Sequence, residues 1–181
     1  GVKTLSVPER ATITNMGAEL GATTSIFPSD DITRAFLAAQ GREEDWVELL
    51  PDADAQYDEV IDIDLSTLRP AAAMPHSPDN VKAVEDIGAI KVDQVVIGSC
   101  TNGRLSDMAE AAQILKGQHV AKGVRAIIIP ATQEIYKQCI QLGYTEIFID
   151  AGCVVSTPTC GPCLGGYMGI LAENERCVAT T

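Results

Sequence analysis

Gln94-Val-Val-Ile-Gly-Ser-Cys-Thr-Asn-Gly103 opens with a short apolar run, Gln94–Ser99, that reads as a buried strand. The residues beyond it repeat the theme. Leu105–Leu115 has helical periodicity, with Met108, Ala111, Ala112 and Leu115 on one face, and Gly117 is a stop signal. Val124-Arg-Ala-Ile-Ile-Ile-Pro130 reads as a second strand. Gln133–Leu142 reads as a second helix, with Ile135, Cys139 and Leu142 inward and Gly143 as its stop. Glu146-Ile-Phe-Ile-Asp150 then reads as a third strand. Strand, helix, strand, helix, strand in about sixty residues predicts an α/β unit with a parallel sheet and right-handed crossovers.

The residues before this unit are organised differently. Asn15-Met-Gly-Ala-Glu-Leu-Gly-Ala-Thr-Thr24 holds two glycines in five residues, where a backbone approaches a neighbour closely. Asn15 and Glu19, four apart, share one face of a helix, and the pattern alone suits a helix packed at its Gly and Ala positions. Ser29 is the expected N-cap of the next helix, with Asp30 and Asp31 in its first turn. Ile32, Phe36, Leu37 and Ala39 form its buried stripe, and Gly41 ends it. Gln56–Leu65 alternates apolar and acidic residues, which predicts a half-exposed strand with its acids on a solvated face. Arg69–Asn80, with three prolines, is the expected connection between units.

Charge marks the same division. Residues 1–90 hold 17 acids and 6 bases, and residues 91–181 hold 8 acids and 7 bases, within a net charge of −12. The expected organisation is two α/β/α units: a small α/β domain over residues 1–88, and an α/β domain over 89–181. The strongly acidic balance, with no basic patch, argues against nucleic acid as a partner. No apolar run reaches the roughly 18 residues of a membrane span, so no membrane association is expected. Gly1–Thr24 lacks the basic-then-apolar layout of a signal peptide. Six cysteines without that layout suit a reducing, cytoplasmic compartment.

Ligands of open parallel sheets sit off the carboxyl ends of the strands. Cys100 follows the first strand there, ahead of a helix whose N-terminal dipole favours a thiolate. Cys160 and Cys163, in Thr159-Cys-Gly-Pro-Cys-Leu-Gly-Gly166, follow the third strand at the same edge. Three thiolates make an incomplete soft-metal site. A structural zinc wants a fourth ligand, and the histidines, His76 and His119, are poorly placed to give one. An iron–sulfur cluster on three cysteines leaves one iron open as a Lewis acid. Gly103, Gly161, Gly165 and Gly166 let backbone amides lie close to such a group. A Cys-x-x-Cys redox pair and plain burial remain alternatives on spacing alone. Cys139 and Cys153 read as core, and Cys177 has no assignment.

Val96-Ile-Gly-Ser-Cys-Thr-Asn-Gly103 together with Thr159-Cys-Gly-Pro-Cys163 resembles the cluster signatures of the aconitase family. Asn15–Thr24, Ile26-Phe-Pro-Ser-Asp30 and Pro75-His-Ser-Pro-Asp-Asn80 match it in the same order, so the resemblance spans nearly the whole chain. Within the family, Pro130-Ala-Thr-Gln133 and Pro158–Gly166 are most similar to the branch that isomerises isopropylmalates in leucine biosynthesis, followed by the homoaconitase branch. The resemblance implies a [4Fe–4S] cluster on Cys100, Cys160 and Cys163, and reversible dehydration of a hydroxy di- or tricarboxylic acid. It implies that Glu19 handles the hydroxyl or water, with Asn15 hydrogen-bonding near the cluster. It further implies a partner subunit or swivelling domain that carries the catalytic serine base, and further chain both before Gly1 and after Thr181. The 181 residues alone are therefore expected to be inactive. The homoaconitase and aconitate hydratase branches are the rivals within the class; a cluster-free, RNA-binding or iron-sensing relative and a structural zinc module are rivals outside it, against which the charge and the missing fourth ligand respectively count.

Overall fold

The computed structural model describes residues 1–181 and divides into two units, Gly1–Gly88 and Ala89–Thr181. In the first unit, α1 spans Val7–Glu19 and α2 spans Asp31–Ala39. Ser6 caps α1 in a reciprocal box: its hydroxyl accepts from the Glu9 amide, and Glu9 accepts from the Ser6 amide. The helix expected around Asn15–Thr24 thus begins earlier and stops at Glu19, before Gly21 takes a positive φ of 88°.

The cap of α2 is Asp30, not Ser29. The Asp30 carboxylate accepts from the Ile32 and Thr33 amides, whereas Ser29 bridges to Leu49 and its hydroxyl donates to the Val47 carbonyl. A carboxylate satisfies two orphan amides and opposes the dipole at once, which a serine hydroxyl does less well.

Two further expectations fail here. Gln56–Leu65 is no strand: no neighbouring strand pairs with it, and Tyr57, Val60, Ile61 and Ile63 are exposed. Alternation describes a strand's two faces but does not supply the ladder partner that makes one. Arg69–Asn80 is not the link between units. It carries β1 (Ala71–Ala73), which pairs antiparallel with β2 (Val81–Ala83) inside the first unit. Asn80 closes the loop, its carbonyl accepting from the Met74 amide and its side chain donating to the Pro75 carbonyl.

The single buried residue of this unit is a charged one, Arg10, 4% exposed. Its guanidinium meets both Asp30 carboxylate oxygens at 2.9 Å and donates to the carbonyls of Leu5, Pro28 and Val2. A planar fork can satisfy a carboxylate and several carbonyls together, which is what permits its burial. Arg10 thereby ties α1 to the cap of α2.

The second unit has an ordinary core. A parallel sheet runs in the order β5-β4-β3-β6, with β3 at Gln94–Gly98, β4 at Arg125–Ile129, β5 at Val154–Val155 and β6 at Cys177–Ala179. Between them lie α3 (Ser99–Asn102), α4 (Leu105–Leu115), α5 (Gln133–Gln141), α6 (Tyr144–Asp150) and α7 (Gly161–Leu164). Strand alternation splits β4 between two cores. Ala126 and Ile128 join Met108, Ala111, Ala112, Cys139, Phe148, Ala151 and Cys153 beneath α4, α5 and α6. Ile127 and Ile129 join Val96 on the other face, against Met168 and Cys177.

Glu146–Asp150, expected as the third strand, is most of helix α6, and the third strand follows it at Val154–Val155. Five residues centred on Ile-Phe-Ile are too few for periodicity to separate helix from strand. Phe148, fully buried, fixes the outcome by entering the helix-side core. Leu142 is not inward: it is the C-cap of α5 and stands 54% exposed. No helix is long and apolar enough to cross a membrane.

Candidate metal centre

The site is built at the carboxyl edge of the parallel sheet. β3 ends at Gly98, whose φ of +112° turns the chain sharply, and a Cβ there would lie 2.1 Å from the Ile129 carbonyl oxygen. Only glycine permits that approach. Ser99 follows with φ 76° and is buried, and Cys100 then projects into solvent on α3. Its sulfur lies 3.7 Å from the Thr101 hydroxyl. Gly103 closes the turn against β4: its carbonyl accepts from the Ala131 amide at 2.8 Å.

The second loop leaves β5 through Ser156, whose amide donates to the Ile128 carbonyl and whose hydroxyl donates to the Thr157 carbonyl. The Thr159 hydroxyl accepts from the Gly161 amide, starting α7 beside Cys160. Gly165, with φ +67°, ends that turn, and the Gly166 amide returns to the Gly161 carbonyl. Downstream, the buried Gln94 side chain donates to the Gly169 carbonyl at 2.7 Å, and a Cβ on Gly169 would press on Pro162 and Ile127. The loop is thus laid down on the face of the sheet opposite the helices.

These two loops place Cys100 and Cys163 within reach of Cys160, and all three are exposed. The Cys160 thiol is pushed up by the charge of Cys100 and a hydrogen bond to it, then by burial and by the charge of Cys163. A cation bound at Cys160 would offset the charge of its neighbours. No three His, Cys, Asp or Glu side chains gather tightly enough to hold a single metal ion. The remaining cysteines stand apart. Cys139 and Cys153 are buried in the helix-side core, where desolvation pushes both thiols up. Cys177, half-buried on β6, receives the Gln94 side-chain amide at 3.6 Å. His119 is exposed beyond the C-terminal end of α4, and His76 belongs to the first unit.

Asn15 and Glu19 lie on α1 of the first unit, four residues apart and both exposed. Nine residues separate Glu19 from Arg10, which is half a turn beyond two full turns, so the anchored face of α1 is opposite the one that carries Glu19. Arg10 holds the Asp30 carboxyl down to about 2, through its hydrogen bonds above all. In the second unit Arg125 does the same to Glu175, about 2, by a bidentate pair at 2.7 Å. Neither pair stands out in the sequence. For the first, the available signal is an Arg ahead of a helical Asn-x-x-x-Glu and twenty residues before an N-cap Asp.

The family model described as aconitase family (aconitate hydratase) matches residues 1–89 and 81–181. The chain is 58% identical to the 3-isopropylmalate dehydratase large subunit of Helicobacter hepaticus over 182 residues, covering all of this chain and 43% of the relative. It is 55% identical to the protein of that name from Caldanaerobacter subterraneus over 180 residues, covering 99% of this chain and 43% of the relative. The protein of that name from Caldicellulosiruptor saccharolyticus is 56% identical over 182 residues, with all of this chain and 42% of the relative covered. The chain therefore spans less than half the length of the curated relatives it matches.

Proposed function

The chain belongs to the aconitase family, and on that footing we propose that it forms part of the catalytic large subunit of a hydro-lyase. Cys100, Cys160 and Cys163 hold a [4Fe–4S] cluster. The donor set fits that group. It is all sulfur and exposed at one edge of the sheet, the chemistry of a cluster whose thiolates each bind a different iron. Gly98 and Gly103 let the turn that presents Cys100 press directly on the backbone of Ile129 and Ala131. When bound, the cluster supplies a Lewis-acidic iron without a protein ligand.

The chain's own groups then act on the substrate. The Glu19 carboxylate takes or returns a proton at the departing hydroxyl oxygen, and the Asn15 amide orients that oxygen by hydrogen bonding. Hydroxyl leaves one carbon while the adjacent carbon gives its proton to the serine base expected on the partner subunit, and re-addition of hydroxyl and proton to the resulting double bond with their positions exchanged interconverts 2- and 3-isopropylmalate. The enzyme then serves leucine biosynthesis, in the cytoplasm. The partner is the small subunit that the name of the relatives entails. What supports the reading is the convergence of three exposed thiols at the carboxyl edge of a chain 53–58% identical to such large subunits.

Anaerobic reconstitution with iron and sulfide tests the cluster. The chain should bind about four irons, the content of such a cluster, and Cys100→Ser, Cys160→Ser and Cys163→Ser should each abolish this. Full iron in all three variants, or one zinc per chain, refutes the assignment. The longer protein, co-expressed with its small subunit, should turn over 3-isopropylmalate in preference to citrate and homocitrate. The opposite preference moves the substrate to another branch of the family.

A further inference from the structure

β6 pairs with β3 only as far as Val96↔Ala179, and the last bond of that ladder runs from the Thr180 amide to the Val96 carbonyl. β3 continues two residues further, to Gly98, where β6 no longer offers a backbone carbonyl. Gly98 is buried, so its N–H needs an acceptor within the protein. The Thr180 hydroxyl provides it, at 3.0 Å. The Thr180 carbonyl accepts a second bond, from the side-chain amide of Asn102. One residue therefore grips both ends of the turn Gly98–Asn102, on which Cys100 is presented. The opposite side of that turn leans on the backbone of Ile129 and Ala131 through Gly98 and Gly103.

We propose that Thr180 is a positioning residue that braces the Cys100 turn, so that retention of iron depends on a hydroxyl outside the ligand set. The consequence for iron rests on the cluster reading above; the brace itself belongs to the metal-free chain. Thr180→Val keeps the shape and removes the acceptor, leaving a buried N–H unpaired, whereas Thr180→Ser keeps the hydroxyl.

Two measurements on the full chain test this. In the metal-free protein, amide hydrogen exchange at Gly98–Asn102 should be about tenfold faster in Thr180→Val and within about twofold of wild type in Thr180→Ser. The amides of α4 and α6 should not change. After anaerobic reconstitution, release of iron to a ferrous chelator should likewise be about tenfold faster in Thr180→Val and unchanged in Thr180→Ser. Wild-type protection of the turn in Thr180→Val overturns the proposal, as does Thr180→Ser behaving like Thr180→Val. Acceleration spread equally through α4 and α6 also overturns it, because Thr180 would then be a general structural support. Equal iron retention despite a loosened turn overturns the link to the metal. Failure of the wild type to take up iron defeats the cluster reading instead, and hydrogen exchange still decides the brace.

Discussion

Gly103→Ala isolates how much the candidate site depends on close backbone packing. Gly103 has φ −105° and ψ 27°, a conformation open to alanine, so the substitution carries no left-handed strain. What it carries is a collision. The new Cβ would lie 2.4 Å from the Ser99 carbonyl oxygen, 2.5 Å from that of Ile129 and 2.7 Å from the Ala131 nitrogen. All three are backbone atoms, so no rotamer relieves them. The contact with Ser99, inside the turn, is about 0.6 Å short of the 3.0 Å limit that real Cβ atoms respect, and that with Ile129 about 0.5 Å short, so the turn must both reshape and move about that far from β4. Overpacking of this kind costs about 1–3 kcal/mol. For a unit of this size, each kcal/mol lowers the melting temperature by about 4–8 °C. Calorimetry should therefore show the second unit melting earlier, and iron uptake should fall because Ser99 and Cys100 move together. Gly152→Ala is the control. Gly152 has φ +86° with open space around it, so alanine there costs about 1–2 kcal/mol of strain without touching the site. It should lower the melting temperature and leave iron uptake intact. A Gly103→Ala protein that melts and binds iron like wild type would refute the packing argument.

Phe148→Ala should destabilise the second unit by about 3–5 kcal/mol in urea titrations, because the ring is fully buried among Met108, Ile128 and Cys139 and leaves a cavity. Asp30 and Glu175 both titrate near 2, below their unfolded values of 3.8 and 4.5, so the stability they lend is complete above those values and declines as pH falls toward 2. Asp30→Asn should flatten that decline for the first unit in melts between pH 5 and about 2, and an unchanged slope counts against the Arg10 pair. In metal-free protein, mass spectrometry should find Cys100, Cys160 and Cys163, which are exposed, alkylated by iodoacetamide well before Cys139 and Cys153, which are buried. Equal labelling would mean that the helix-side core opens readily.

The elements legible in the sequence are those whose signals are local. Leu105–Leu115 has apolar spacing over three turns, and its limits agree with the structure to the residue. Val124–Pro130 is a run of β-branched residues flanked by turn formers, and β4 falls within it. The misreadings come where local signals are short or incomplete. Glu146–Asp150 has strand composition but lies in a helix, since Gly143 in left-handed geometry starts α6 and Phe148 completes the core. Gln56–Leu65 has the alternation of a strand but no partner for its backbone. β6, three residues long, leaves no mark in the sequence, because it exists only through its bonds to β3.

The candidate site divides along the same line. Sequence alone determined which cysteines are ligand candidates, since turn chemistry and spacing place Cys100, Cys160 and Cys163 after strands. It also determined the family, because several motifs occur in order along one chain. Only the tertiary structure decided that Cys100 and Cys160, sixty residues apart, lie within reach of each other's charge, that Arg10 is buried against Asp30, and that Thr180 caps an amide at Gly98. The physical reason is that periodicity and capping are set by neighbours along the chain, whereas hydrogen-bond partners across a sheet are chosen by the packing of strands that the chain brings together from a distance.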